Sequence, residues 1–317
     1  MQVRKLVKSG YSSLVMAVPK EWVTKNKLKA GDLIYIDDEK EDLRISSKHK
    51  QEQQEKKEFV INVDGKNPRI IDYELNEAYL NNYYHIILKG KDLPKVAKKV
   101  KETIVSLIAL ELIEESSEKI IARSFLNMYD VDLKSITRRM DNIIRSMVID
   151  TKECVKNPSL VENINNRDYE VNRLTFLVFK ILKTAYVDKK ILNSIDIQEM
   201  DVLKYWELTT HLEKIGDRVK SIAGIIPKLN HPHQKKFIKL LIDIEGLYKN
   251  TMKAFYNNDK DLSDSVSIKR LHIIDEVKEY AKGNCNYCSR ASIHGYNMIS
   301  HINDIARTLR FLSTSIK

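Results

Sequence analysis

Glycine, proline and cysteine are scarce in this chain of 317 residues. Its 9 glycines and 6 prolines are too few for an architecture of many strands and turns, which favours long helices. Three cysteines, Cys154, Cys285 and Cys288, cannot form a closed disulfide framework and are compatible with a reducing compartment. With 43% hydrophobic residues the chain can bury a sizeable core, so we expect a mainly α, multi-domain protein.

Long apolar runs and common enzyme motifs are also missing. The sequence begins MQVRKLVKSGYSS, without an apolar stretch of signal-peptide length, and no run approaches the roughly 18 apolar residues of a membrane span. We therefore expect a cytoplasmic protein with no membrane insertion. Because a Gly-rich phosphate loop, a nucleophile elbow and an HExxH motif are absent, we expect no enzymatic activity.

Positive charge is concentrated near the N-terminus. The formal net charge is +10, which favours anionic partners. Residues 1–29 contain seven basic residues and one acidic residue, Glu21. Among these bases, Arg4, Lys5 and Lys8 belong to the first predicted strand, and Lys20 to a short helix. In a dimer they would form a doubled positive surface suited to DNA phosphates, although a solubilising surface explains the same charges.

The pattern of residues 1–47 predicts a small β-rich unit. A short helix opens at Pro19, a residue that suits the first helical turn. Four strands are predicted, at 3–7, 14–18, 33–36 and 43–45. These elements are too small to close a core alone, so we expect the unit to pair with a second copy as a homodimer.

A polar linker and a small α+β domain follow. Residues 46–57 contain no apolar side chain, and we assign 48–57 as the linker. Residues 58–128 alternate between strand-like and helix-like runs. The predicted strands are 59–63, 85–88 and 119–123, and the predicted helices begin after Asn67-Pro68 and run from Pro94 to about Leu110.

Residues 129–317 have a helical period throughout. Six helices are predicted, at about 131–155, 158–188, 196–228, 231–258, 262–282 and 287–315. An internal repeat at a constant offset of 87 aligns Leu212, Ile215, Val219 and Ile222 with Ile299, Ile302, Ala306 and Leu309. The same offset aligns Asp217 with Asp304. We therefore expect two three-helix repeats, about 131–228 and 231–317, each covering the apolar surface of the other.

Acidic residues on one helix face are the sharpest candidate site. Glu213 and Asp217 lie one helical turn apart, on a face predicted to point outward, opposite the apolar stripe. A solvated charged face and a site for a hard cation or a multinuclear metal centre both fit this spacing. Asp168 and Glu170 place further carboxylates near the middle of the second predicted helix. In the second repeat Ser300 replaces Glu213, which leaves only Asp304.

One Cys-x-x-Cys motif is present, formed by Cys285 and Cys288 with His294 nearby. This set is one ligand short of a structural zinc site, and no second Cys-x-x-Cys accompanies it. We therefore favour two reduced thiols at a helix end over a zinc site.

The N-terminal residues resemble a SpoVT/AbrB-type DNA-binding domain. The run Gly10-Tyr-Ser-Ser13, the helix start Pro19-Lys-Glu-Trp22, and Leu28 with Gly31-Asp32 carry the resemblance. It implies a dimer of swapped hairpins whose basic strand residues meet DNA. The residues placed at that interface are Arg4, Lys5, Lys8, Ser12, Ser13 and Lys20.

The helical region resembles the PhoU family of phosphate-uptake regulators. The tandem repeat, the segment RDYEVNRL at 167–174 and the segment HLEKIGDRVKSIA at 211–223 carry this resemblance. It implies a divalent or iron/zinc-type metal at the acidic helical face; the candidate ligands are Glu213, Asp217, Asp304, Asp168 and Glu170. Ser300 and Asn172 depart from the acidic pattern of the family, which favours weak or single-site binding.

Together the two resemblances imply an archaeal-type PhoU-like regulator with a fused DNA-binding domain. We expect a regulator of phosphate uptake and homeostasis whose partners are DNA and a second copy of the chain. The alternative is an adaptor that negatively regulates a phosphate ABC transporter by contact with its ATPase, or regulates a sensor protein. In that case residues 1–47 would act mainly as a dimeriser.

Overall fold

The computed structural model describes residues 3–11, 13–39, 42–47, 57–283 and 286–312. The chain divides into two compact units, Met1–Lys56 and Lys57–Lys317, which we call unit 1 and unit 2. Ser12, Cys285 and residues 48–56 of the predicted linker lie outside the described residues.

Unit 1 consists of two antiparallel hairpins and a short helix. Strand β1 (Val7–Ser9) pairs with β2 (Ser13–Val15), and β3 (Tyr35–Glu39) pairs with β4 (Asp42–Ser46). Helix α1 (Lys20–Lys25) starts directly after Pro19, one residue later than the predicted opening at Pro19. The prediction for the first strand, 3–7, was wrong. It begins at Val7, because pairing across the turn at Gly10, whose φ is +74°, extends only from Ser9 opposite Ser13 to Val7 opposite Val15.

No described side chain of unit 1 is buried within this chain. Apolar residues from both hairpins and from the segments around them are exposed; they include Val3, Leu6, Val7, Leu14, Val15, Leu33, Ile36 and Leu43. The described part of unit 1 therefore has no buried hydrophobic core of its own, in keeping with the expectation that it needs a partner surface.

Unit 2 begins with a mixed sheet and two helices. In chain order the elements are β5 (Glu58–Asn62), α2 (Pro68–Leu80), β6 (His85–Lys89), α3 (Leu93–Ser106), β7 (Leu110–Glu115) and β8 (Lys119–Ser124). The sheet order is β5-β6-β8-β7; β5 is parallel to β6, and the other pairs are antiparallel. Ile61, Leu75, Leu88 and Ile120 belong to the core between sheet and helices.

Strand β7 was not predicted. The helix expected to continue to about Leu110 ends at Ser106, and Ala109 adopts a left-handed conformation with φ of +62° just before the strand. In β7 only Leu110 is buried. An edge strand exposed over most of its length shows little alternation of apolar and polar residues, which explains why the pattern missed it.

The rest of unit 2 is helical. The helices are α4 (Leu133–Glu153), α5 (Leu160–Val187), α6 (Lys189–Ser194), α7 (Glu199–Ile225), α8 (His231–Asn257), α9 (Lys260–Ala281) and α10 (Asn286–Leu312). The six long helices match the predicted spans within a few residues, whereas the short α6 was not predicted. Their buried faces form one continuous core, which includes Ile144, Val178, Ile215, Ile244 and Ile302. Among the described residues, no helix is long and apolar enough to cross a membrane.

Candidate functional site

The residues predicted to meet DNA are exposed wherever the structure describes them. Lys8 lies on β1, Lys20 is the first residue of α1, and Ser13 opens β2 opposite Ser9. Arg4 and Lys5 precede β1 and do not lie in it, since the strand begins at Val7. Ser12 lies outside the described residues.

Two of the predicted metal ligands share a lysine. On α7, Lys220 Nζ lies 2.5 Å from Asp168 Oδ2 of α5 and 2.8 Å from Asp217 Oδ1 of its own helix. Asp168 is only 4% exposed. Burial raises the pKa of Asp168, and the hydrogen bond from Lys220 partly offsets this effect.

Glu213 belongs to the same neighbourhood. Burial raises the pKa of its carboxyl, and the negative charges of Asp217 and Asp168 raise it further. The prediction that Glu213 and Asp217 face outward was wrong, because both are partly covered where α7 packs against α5. The helical period correctly placed Glu213 and Asp217 away from the main apolar stripe of α7. Helix α5 nevertheless covers part of the face on which they lie.

A metal ion does not fit this acidic group as it is arranged. The Lys220 ammonium forms ion pairs with both Asp168 and Asp217. A bound metal ion would need the same two carboxylates as ligands. The lysine charge already compensates the buried Asp168, although Asp168 Oδ1 has no hydrogen-bond partner. Metal binding by Asp168, Glu213 and Asp217 stays a prediction that requires Lys220 to move away.

Glu170 and Asp304, the remaining predicted ligands, lie in other environments. Glu170 forms an ion pair with Arg139 of α4. Asp304 lies on α10 with His301, beside His211 of α7, and one ligand atom from each of the three lies within 4.8 Å of the others. The five predicted carboxylates therefore do not form one centre in the described structure.

The His211–His301–Asp304 cluster lies between α7 and α10. The Nδ1 atoms of His211 and His301 are 3.4 Å apart, and His211 Nε2 lies 3.3 Å from the carboxylate of Glu207. Burial lowers the pKa of His211. Burial, together with the neighbouring His211 and Lys214, lowers the pKa of His301 to about 4.

Sequence reasoning missed both histidines. His211 stands two residues before Glu213 within a segment chosen for its acids, and His301 is 90 positions further along. One local signal was available: His301 and Asp304 are three apart and therefore share a helix face. The third member could be found only from the packing of α7 against α10.

The cysteine motif is described only in part. Cys288 is buried near the start of α10, whereas Cys285 lies outside the described residues. Within the described ranges, the only group of three or more residues that could hold a metal is His211, His301 and Asp304, and Cys288 and His294 are not part of it.

A cleft of about 640 Å³ lies between α4 and α8. Four basic side chains line it, namely Arg138, Arg145, Lys249 and Lys253. The single lining carboxylate, Asp141, accepts hydrogen bonds from Arg145 and from the hydroxyl groups of Tyr248 and Tyr256. The remaining positive charge makes this cleft better suited to an anion than to a metal cation.

One comparison with known proteins identifies a domain. Residues 137–226 match the family model of the PhoU domain. This range extends from α4 through α5 and α6 to the end of α7, and so contains Asp168, Glu213 and Asp217. No curated protein and no solved structure matches the chain. The match supports a PhoU-like helical domain and indicates a role in the regulation of phosphate homeostasis, in a family that is regulatory and non-enzymatic.

Proposed function

We propose that this protein is a dimeric, DNA-binding transcriptional regulator of phosphate homeostasis. In this proposal the helical part of unit 2 responds to phosphate status, and unit 1 binds DNA as a homodimer of AbrB-like swapped hairpins. The observation that carries it is the surface of unit 1, where basic and apolar side chains are exposed together. The PhoU-domain match in unit 2 supports the part of the proposal that concerns phosphate homeostasis.

The charge of unit 1 supports a nucleic-acid partner. Arg4, Lys5, Lys8 and Lys20 are all exposed in the described structure. A homodimer would present each of them twice. Neutralising DNA phosphates with such side chains releases counterions, which makes binding tight at low salt and steeply dependent on salt concentration.

The exposed apolar residues of unit 1 support the homodimer. Val7 and Val15 are paired across β1 and β2 and therefore lie on one face of the hairpin, and both are exposed. A second copy that covered these side chains would supply the core that one copy lacks.

DNA binding can be tested by fluorescence anisotropy across a salt series. The full chain is compared on DNA from upstream of its own gene and of phosphate-transporter genes, and on random DNA. We expect tighter binding to the former. In the triple variant Arg4→Ala, Lys5→Ala, Lys8→Ala, the slope of log affinity against log salt should flatten by about 0.9 for each DNA phosphate that is no longer neutralised.

A matched control removes the same charge elsewhere. Lys235, Lys236 and Lys239 are exposed on α8, so replacing all three with Ala lowers the net charge equally without touching unit 1. This control should keep the affinity and salt slope of the unaltered chain. Equal, weak binding by the unaltered chain, both variants and a chain lacking residues 1–47 would contradict the proposal.

A protein–protein adaptor is the second candidate. The PhoU-domain match favours it directly, and Ile268 and Leu271 give α9 an exposed apolar pair three residues apart that could contact a partner. In this case the chain would regulate a phosphate-transporter ATPase or a sensor protein by contact. Phosphate regulation in cells would then survive the triple Ala variant of Arg4, Lys5 and Lys8, but fail in the double variant Ile268→Asp, Leu271→Asp.

A further inference from the structure

We propose that His211, His301 and Asp304 bind one divalent transition-metal ion, with Zn²⁺ the best match, between α7 and α10. This site is separate from the Lys220-linked acidic group and does not depend on DNA binding. Its first support is distance. In tetrahedral zinc sites, Zn–N bonds of about 2.0–2.1 Å place two nitrogen ligands about 3.3–3.4 Å apart. The Nδ1 atoms of His211 and His301 are 3.4 Å apart.

The second support is the contact between Nε2 of His211 and Glu207. Nε2 faces the Glu207 carboxylate at 3.3 Å, one helical turn earlier on α7. An Nε2–H that donates to this carboxylate leaves the Nδ1 lone pair directed at His301. Metal-binding histidines commonly use such an outer carboxylate to fix the ring and its tautomer. Glu207 is therefore a positioning residue for the site.

The donor set decides which ion fits. Two imidazole nitrogens and one carboxylate oxygen, with water as the fourth ligand, suit zinc and related borderline metals in an open tetrahedral site, whereas Mg²⁺ and Ca²⁺ prefer oxygen ligands throughout. The negative charges of Asp304 and Glu207 offset the positive charges of Lys214 and Arg218 nearby.

The position of this site between α7 and α10 has a structural consequence. Asp304 and His301 come from the third helix of the second repeat, and His211 comes from the third helix of the first. A bound ion would therefore link the two repeats where α7 and α10 pack together. We expect occupancy of the site to stabilise this packing, because an ion that binds only the folded state raises its stability.

The test uses the full chain after treatment with a chelator. Zn²⁺ binding is measured by isothermal titration calorimetry, and Co²⁺ is added separately to record the visible absorption typical of a tetrahedral site. The ligand variants are His301→Gln and Asp304→Asn, both of which keep polar side chains of moderate size. Glu207→Gln tests the positioning role. Circular dichroism and the melting temperature without metal establish that each variant is folded.

Two variants serve as matched controls. His272 and Glu276 form a second histidine–glutamate pair one turn apart, on the exposed surface of α9, so His272→Gln removes the same residue type outside the site. Asp275→Asn removes a carboxylate from the exposed surface of the same helix. Neither control should alter zinc binding.

The proposal predicts one Zn²⁺ per chain, a tetrahedral Co²⁺ spectrum and a higher melting temperature with zinc. Glu207→Gln should weaken binding about 10-fold to 100-fold, the usual effect of removing an outer partner, and His301→Gln and Asp304→Asn should weaken it more. Absence of zinc binding by the folded chain would overturn the proposal and leave a hydrogen-bonded histidine pair. Binding abolished in Asp217→Asn but kept in His301→Gln would also overturn it and point to the acidic group.

Discussion

Lys180 is a lysine buried in the core of unit 2. Its side chain on α5 is fully buried, with Nζ 2.8 Å from Ser124 Oγ and 4.2 Å from the centre of the Tyr79 ring. Burial lowers the pKa of Lys180 to about 7, so desolvation of the ammonium outweighs its attraction to the ring. The side chain is therefore partly neutral near physiological pH.

The lowered pKa of Lys180 predicts a dependence of stability on pH. Between the folded pKa of about 7 and the unfolded value of 10.5, the unfolded chain binds more protons, so the free energy of unfolding rises with pH. Lys180→Met should remove this rise, which amounts to up to about 1.4 kcal/mol per pH unit. The variant should be more stable than the unaltered chain at pH 7, with the gain shrinking towards pH 10.

Urea unfolding at several pH values between 7 and 10 measures this difference. Lys183→Met is the control, because Lys183 is exposed on the same helix and its replacement should leave the pH dependence unchanged. A constant difference between Lys180→Met and the unaltered chain across this range would show that Lys180 keeps its charge when buried.

At the scale of elements, the corner between α8 and α9 depends on two adjacent residues. Asn258 ends α8 in a left-handed conformation with φ of +53°, and Asp259 caps α9 by accepting a hydrogen bond from the Leu262 amide at 2.9 Å. Asparagine tolerates the left-handed region, and aspartate is a preferred first cap. The helix break predicted between 258 and 262 is therefore stabilised by local chemistry.

Asp259→Ala should lower the free energy of unfolding by about 1 kcal/mol, because the amide at the start of α9 loses its acceptor. Asp259→Ser restores an oxygen at the same position and should recover most of the loss. Chemical denaturation of the two variants measures both values. Equal stability of the Ala and Ser variants would mean that the cap contributes little here.

At the scale of the molecule, we expect the full chain to be a dimer held together through unit 1. Leu14 lies on β2 with 62% of its surface exposed, so a second copy has apolar area to cover there. Leu14→Asp should shift the chain towards monomer, because burying an unpaired carboxylate is costly. Light scattering coupled to size-exclusion chromatography measures the change.

Val187→Asp provides the comparison for Leu14→Asp. Val187 ends α5 and is 79% exposed, yet it belongs to unit 2. This variant should keep the oligomeric state of the unaltered chain. A full chain that is monomeric at micromolar concentration, or a Leu14→Asp variant with unchanged mass, would argue against dimerisation through unit 1.

The sequence alone was enough to predict most of the helical region and the lack of a core in unit 1. Helices follow from local hydrogen bonds and from an apolar period within each segment, so the six long helical spans could be predicted from the pattern. The exposed edge strand β7 and the short α6 carry too weak a pattern and were missed.

Tertiary structure alone decided which functional side chains meet. The five carboxylates proposed from the sequence separate, because Asp168 and Asp217 share Lys220, Glu170 pairs with Arg139, and Asp304 lies with two histidines. His211 and His301 are brought to 3.4 Å by the packing of α7 on α10. Helical periodicity determines which residues share a face, but the rotation and contact of packed helices determine which faces come together.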